Sequence, residues 1–197
     1  MSTKKTTATS RSVKAKTEVP EKTQSTADRK AAEAQLLTLV DKFAPAHLPL
    51  LVAVRKALRK RLPTAIEVVY EYRDSFVISY TPNERGYEGV LALRGSAKGV
   101  QLYFNRGKEL SDPEKLLQGS GKQTRLIEVE NKSTLSQPGV ARLIDQALTL
   151  NPVPFASTGR GAVVIRSTTA SKRTSPKTAP KAVKAAKASG SRQGKKG

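Results

Sequence analysis

Four apolar segments separated by short turns fill residues 66–104, and this pattern constrains the fold more than any other feature of the sequence. In the first segment, IEVVYEY, large apolar residues recur at the two-residue period of a β-strand. Because loops this short favour hairpins over crossover connections, the segments are predicted to pair as antiparallel strands. The predicted strands are residues 66–72, 75–81, 89–94, 100–104 and 124–129, while residues 161–166 are either a sixth strand or an apolar tether.

Helical periodicity flanks the strand run on both sides. Ser25 and Asp28 have the spacing of a capping box, and a first helix is predicted to start there. Further helices are predicted over residues 46–62, 138–150 and, briefly, from Asp112 to a terminating Gly119. Helices, then strands, then a helix predict an α+β fold, with a twisted antiparallel sheet of about five to six strands and helices packed on one face.

The charge of the chain is concentrated at its ends. The sequence has 36 Lys and Arg against 16 Asp and Glu, a net charge of +20. Residues 1–26 contain six basic and two acidic groups (+4), and residues 167–197 contain nine basic and no acidic groups (+9). Both segments lack large apolar residues, and both are predicted to be disordered basic tails around a single domain at 27–166. The second tail, rich in Lys, Ala and Pro, resembles linker-histone tails in composition.

Several classes of function are disfavoured by composition. The chain has no cysteine and one histidine, His47, so thiolate catalysis, disulfides and multi-histidine metal sites are not expected. No nucleophile and base can be paired in the sequence, and neither an enzymatic activity nor a cofactor is predicted. No apolar run approaches the ~20 residues of a membrane span, and no secretory signal is recognisable, so a cytoplasmic protein is expected.

The sequence Gly119-Ser120-Gly121-Lys122 invites comparison with a phosphate-binding loop. The comparison fails because Leu116 and Gln123 occupy positions that the motif reserves for Gly and Ser or Thr. A helix end followed by a turn is the simpler interpretation. The alternative is an anion nest formed by backbone N–H groups, with nearby cationic and amide side chains. The candidate anion-binding residues are Asn105, Arg106, Lys108, Lys122 and Arg125.

Basic residues also cluster at the end of the second predicted helix and in the C-terminal tail. The helix end is either a solvated face that complements the helix dipole or a patch that contacts phosphates. The candidate nucleic-acid contacts are Arg55, Lys56, Arg59, Lys60, Lys172, Arg173, Lys177, Lys181, Lys184 and Lys187. Strand aromatics are predicted to be core residues, with base stacking as the alternative, at Tyr70, Tyr72, Tyr80, Tyr103 and Phe104.

Residues Leu102 to Gly107 (LYFNRG), Leu116 to Arg125 (LLQGSGKQTR) and Leu62 to Tyr70 (LPTAIEVVY) resemble the YdhG-like family, a bacterial family of domains of unknown function. The resemblance covers residues 43–151 and implies a compact α+β domain. Some members are described as frataxin-like iron chaperones, which implies a clustered acidic surface. The acidic residues available for one are Glu67, Glu71, Asp74, Glu84 and Glu88, and a solvated acidic face is the simpler interpretation.

The sequence therefore predicts a non-enzymatic binding protein whose basic tails contact nucleic acid without sequence preference. The alternative is a domain that binds a small anion, or iron in the frataxin-like manner, at a site near residues 99–125.

Overall fold

A computed structural model of the chain describes residues 24–167, apart from the side chains of Tyr87 and Ser167. The two predicted tails lie almost wholly outside this range, as do the tail candidates from Lys172 to Lys187. Three α-helices are present: α1 (Thr26–Phe43), α2 (Leu48–Arg61) and α3 (Pro138–Thr149). Short 3-10 turns cover Pro45–His47, Gly86–Glu88, Gly107–Glu109 and Thr134–Ser136. Ser25 accepts a hydrogen bond from the Asp28 amide and caps α1, as predicted.

The sheet has six strands in the spatial order β5-β4-β3-β2-β1-β6. They are β1 (Ile66–Glu71), β2 (Ser75–Thr81), β3 (Leu91–Ser96), β4 (Gly99–Phe104), β5 (Arg125–Glu128) and β6 (Val163–Ser167). Strands β1 to β5 form the predicted antiparallel meander. The α+β fold and the sixth strand are confirmed.

The sheet is mixed rather than purely antiparallel, which corrects the prediction. After β5 the chain forms α3 and then returns to the opposite edge of the sheet, where β6 pairs parallel to β1. This connection of more than thirty residues contains a helix, as a parallel pair requires. Short loops therefore predicted the meander correctly, but they gave no information about the partner of the last strand.

All three helices pack on one face of the sheet, as predicted. That face is defined by Val69, Ile78, Leu93, Leu102 and Ile127, which lie opposite one another across β1 to β5. These residues form one buried cluster with the apolar faces of α1, α2 and α3. Because side chains alternate along a strand, Glu67 and Glu71 lie on this helix-covered face as well.

The short helix predicted after Asp112 does not form. Both carboxylate oxygens of Asp112 accept backbone hydrogen bonds, from Leu116 N at 3.0 Å and Leu117 N at 2.8 Å. These bonds hold a turn instead of a helix, which is a known competition between short polar side chains and helical pairing. Gly119 has a positive φ of 100°, but no helix ends there.

No single helix within residues 24–167 is long and apolar enough to cross a membrane. The pair formed by α1 and the segment from Pro45 to Arg61 reaches the required length and composition only when both are counted together, and the two are bent by 115°.

Candidate anion-binding pocket

Two arginines of α2 lie over a glutamate of the sheet. Arg55 and Arg59 are one helical turn apart, so both project from the same side of α2 towards β1. Arg55 donates to both carboxylate oxygens of Glu67, from Nε at 3.0 Å and Nη2 at 2.7 Å. Arg59 Nε donates to Glu67 Oε2 at 3.0 Å. The same two arginines bind Glu33 of α1, at 2.6 Å from Arg55 Nη1 and 2.6 Å from Arg59 Nη2.

The centre of this ion-pair cluster is buried, contrary to the prediction of solvated faces. The Glu67 side chain is 2% exposed and that of Arg55 is 15% exposed. A solvated acidic face at Glu67 is therefore wrong, and so is a solvated face at Arg55. Burial alone would raise the pKa of Glu33, but hydrogen bonds from Arg55 and Arg59 outweigh it and hold the pKa below its ordinary value. Burial would likewise lower the pKa of Arg55, but its bonds to Glu67 and Glu33 raise it.

A cavity of about 380 Å³ opens beside this cluster. Three arginines line it, Arg29 from α1, Arg59 from α2 and Arg160 from the loop before β6, together with Glu67 and the chain from Gly159 to Ala162. We call this cavity the arginine pocket. Arg29 donates to the carbonyl of Gly161, which ties α1 to the pocket wall.

The loop that carries Arg160 depends on its glycines. Gly159 has a φ of +104°, a conformation that favours glycine. A Cβ at Gly161 would lie 1.8 Å from the carbonyl oxygen of Ala65, so only glycine permits this close approach. The amide of Gly161 donates to Pro63 O at 3.0 Å. The loop is thus held against the end of α2, where Arg160 reaches the pocket.

The pocket and its neighbouring cluster carry more positive than negative charge. Four arginines (Arg29, Arg55, Arg59 and Arg160) are balanced by two glutamates (Glu33 and Glu67), which leaves a surplus of two positive charges. Burial, and then the charges of Arg160 and Arg59, lower the pKa of Arg29. The mutual repulsion of these arginines would be relieved by an anion in the cavity.

Tyr80 adds a buried hydroxyl to the same region. Its side chain is 0% exposed, and its Oη has no hydrogen-bond partner among the described residues. Burial, and then the negative charge of Glu67, raise the pKa of Tyr80 well above its ordinary value. Tyr80 therefore stays neutral beside the ion-pair cluster.

The residues predicted to bind an anion do not converge. Asn105 donates to Gly89 O at 2.6 Å on the sheet face that carries no helix, and the cavity that it lines contains none of the other four. Arg106 pairs with Glu109 and the carbonyl of Leu150. Arg125 donates to the carbonyls of Gly121 at 2.6 Å and Thr124 at 2.8 Å. Lys108 and Lys122 are exposed, and neither forms an ion pair within residues 24–167.

The basic residues of α2 divide into paired and unpaired groups. Arg55 and Arg59 belong to the ion-pair cluster, and Arg61 pairs with Asp145 of α3. Lys56 and Lys60 are exposed on the same helix and have no ion-pair partner in the described part of the chain. Of the helix candidates, these two lysines are the ones with free charges.

The acidic residues named for iron do not form a cluster. Within the described residues no group of three or more His, Cys, Asp or Glu side chains is placed to hold a metal ion. Glu71 pairs with Lys42 at 2.6 Å, and Asp74 lies 3.6 Å from Arg94. Glu88 lies close to Arg85, at 3.6 Å.

The candidate stacking aromatics are split between the two sheet faces. Tyr80 and Phe104 are fully buried under the helices, which confirms them as core residues. Tyr72, which is 47% exposed, and Tyr103 line a groove on the opposite face, with Val77, Ala92 and Arg94 between them. Tyr70, on that same face, is partly covered by the loop after β2, because Gly86 lies directly against its hydroxyl.

No family model, curated protein or solved structure matches the chain.

The arginine pocket was not predicted from the sequence. One signal for it exists, namely that Glu67 begins the helix-covered face of β1 only six residues after Arg61, the basic end of α2. Arg29 and Arg160 are 131 positions apart, and no local pattern connects them.

Proposed function

We propose that the protein is a non-enzymatic binding protein for nucleic acid, in which the arginine pocket holds a backbone phosphate. The observation that carries this proposal is the surplus of two positive charges around one cavity lined by Arg29, Arg59 and Arg160. Arginine suits phosphate because its planar fork donates two parallel hydrogen bonds. Backbone phosphates carry no sequence information, so this contact supports binding without sequence preference.

Free lysines and the N-terminal segment extend the cationic surface around the pocket. Lys56 and Lys60 are exposed on the helix that carries Arg59. The side chain of Gln24 forms two hydrogen bonds with Val163, at 2.7 and 3.0 Å, and Val163 follows directly after the pocket loop. Gln24, to which the basic residues 1–23 are attached, therefore lies beside the pocket, and in this proposal those residues add charge for non-specific binding in the cytoplasm.

The decisive experiment measures the binding of the full chain to a labelled oligonucleotide duplex at several salt concentrations. Arg160→Gln is expected to weaken binding and to reduce the log–log salt slope by about 0.9, the value for one lost phosphate contact. Arg73→Gln is the matched control, because Arg73 is also exposed in a turn and has no ion-pair partner among the described residues.

Equal effects of Arg160→Gln and Arg73→Gln would show that only net charge matters and would reject the pocket as a phosphate site. Deletion of residues 168–197, which carry nine basic groups, is expected to lower the salt slope further. An unchanged slope after this deletion would remove the C-terminal tail from the proposal.

A small-anion function is the second candidate, because a concave pocket with surplus positive charge also suits a free phosphate. In this second candidate function, the anion binds in the arginine pocket and not at the site predicted near residues 99–125. Thermal unfolding of the full chain in phosphate, against chloride at equal ionic strength, distinguishes the two functions. Saturable stabilisation by phosphate without any affinity for oligonucleotide would favour the small-anion function. Iron binding stays a prediction of the family resemblance alone.

We further propose kinship with the YdhG-like family. Support comes from the sequence LYFNRG, which covers the end of β4 and the turn after it, and from LPTAIEVVY, which leads from α2 into β1. A structure of a YdhG-like member with a different strand order would contradict this kinship.

A further inference from the structure

A second cavity lies between α1, α2 and β2, and it shares Arg59 with the arginine pocket. Its volume is about 210 Å³. Eight of its lining residues are apolar: Leu36, Leu37, Val40, Leu48, Leu51, Val52, Phe76 and Ile78. We call it the apolar pocket. The bend between α1 and α2 leaves this space open, because the two helices diverge after Ala44.

The mouth of the apolar pocket is unusual for a protein surface. Leu37 is 52% exposed, Leu48 40% and Val52 53%, and all three line the same cavity. Large apolar residues grouped around a concave space indicate a binding site more strongly than residues scattered singly. The floor, formed by Phe76 and Ile78, is buried and belongs to the core of the sheet.

The polar groups around this cavity are all cationic. They are Arg55, Lys56 and Arg59. Arg55 and Arg59 both use their guanidinium groups on Glu33 and Glu67, so neither offers a free charge at this cavity. Lys56 has no ion-pair partner within residues 24–167, and it lies one helical turn beyond Val52. A ligand that fills the cavity would therefore meet an apolar wall and one free positive charge at the mouth.

We propose that the apolar pocket binds a small apolar monocarboxylate, with its chain on the leucines and its carboxylate at Lys56. Charge complementarity selects the head group, because every charged side chain at the cavity is positive. The volume selects the size, since 210 Å³ corresponds to about seven groups of the size of a water molecule. A chain of about six to eight carbons fits this space. The inference does not depend on the proposed nucleic-acid function.

The test uses the full chain with octanoate and its uncharged analogue octanamide. Thermal unfolding and calorimetric titration are expected to show saturable binding of octanoate, with octanamide about fivefold weaker because it lacks the charge. Lys56→Gln is expected to weaken octanoate about fivefold and to leave octanamide unchanged. Lys60→Gln is the matched control, because Lys60 is an exposed lysine of the same helix that does not line the cavity. Val52→Gln, at an exposed wall position, is expected to weaken both ligands.

Three results would overturn the proposal. The first is stabilisation by octanoate that does not saturate. The second is an equal loss of affinity in Lys56→Gln and Lys60→Gln, which would indicate a general charge effect. The third is a dimer, seen by sedimentation velocity, that Val52→Gln dissociates and octanoate does not, because a second copy of the chain would then occupy the surface. Circular dichroism of each variant establishes that these exposed substitutions leave the fold intact.

Discussion

The arginine pocket and the stretch from Asn105 to Arg125 are both rich in positive charge, but they use it differently. In the pocket, arginines from α1, α2 and the loop before β6 converge on one cavity next to the buried Glu67. In the 105–125 stretch, Arg106 is neutralised by Glu109, Arg125 donates to carbonyls of its own loop, and the two lysines point into solvent. The difference shows that convergence and burial of cations, rather than their number along the chain, create a site for an anion.

The largest expected effect concerns the buried glutamate of the cluster. Glu67→Gln leaves Arg55 and Arg59 without the more deeply buried of their two compensating carboxylates. The free energy of unfolding is expected to fall by about 3–5 kcal/mol, the usual result of breaking a buried ion pair from one side. Urea unfolding measures it. Glu109→Gln removes the corresponding glutamate of the 105–125 stretch and should shift the unfolding midpoint far less, because solvent screens that exposed pair. Similar losses in both variants would refute the contrast between the two regions.

The next largest effect concerns phosphate affinity, which compares the arginine pocket and the 105–125 stretch as anion-binding sites. A double variant, Arg29→Gln with Arg160→Gln, is expected to lower the affinity for inorganic phosphate at least about tenfold, since two charge-assisted contacts are lost. The matched double variant, Arg106→Gln with Arg125→Gln, removes the same formal charge from the 105–125 stretch and should keep the wild-type affinity. Isothermal titration with phosphate at constant ionic strength compares them. A greater loss in the second variant would return the anion site to the stretch that the sequence indicated.

The sequence predicted most of the fold, since short-range patterns determine most of it. The period of two in residues 66–104 and the capping signals at Ser25 and Pro138 act within a few residues, and the corresponding strands and helices are present. The parallel pairing of β6 with β1 could not be predicted, because it depends on where a connection of more than thirty residues returns. The arginine pocket was missed for the same reason. Arg29 and Arg160 are brought together only by the tertiary fold. The alternating pattern of β1 is typical of a strand with one exposed face, and it does not show that α2 covers Glu67.

A substitution at Tyr80 is expected to change the free energy of unfolding less than Glu67→Gln does, and to raise it instead of lowering it. Its buried hydroxyl has no hydrogen-bond partner among the described residues, so Tyr80→Phe is expected to raise the free energy of unfolding by about 1 kcal/mol. Tyr103→Phe is the control on the open face, where the hydroxyl donates to Gln101 Oε1 at 3.0 Å, and it should not stabilise the protein. Chemical unfolding of the three proteins compares them. A destabilised Tyr80→Phe would mean that the hydroxyl bonds to Glu67 and belongs to the ion-pair cluster.

The smallest effect is a difference in the response to acid. Arginine contacts lower the folded-state pKa of both Glu33 and Glu109 below the ordinary value. Each carboxylate therefore adds stability that is complete above the unfolded-state pKa, about 4.3, and is lost as the pH falls through the lower folded-state pKa. Glu33→Gln should consequently be less stable than the wild type at pH 7, and the two should become similar as the pH falls through the lowered folded-state pKa of Glu33.

High salt is expected to reduce the acid-dependent stability contribution of Glu109 but not that of Glu33. Glu33 is partly buried against Arg55 and Arg59, whereas the pair of Glu109 and Arg106 is exposed. Because salt screens exposed charges more than buried ones, any acid-dependent difference caused by Glu109→Gln should vanish in ~1 M salt, where the Debye length is about 3 Å. The difference caused by Glu33→Gln should persist under the same conditions. If it also vanishes, Glu33 behaves as a surface charge, and the buried cluster beside the arginine pocket is confined to Arg55, Arg59 and Glu67.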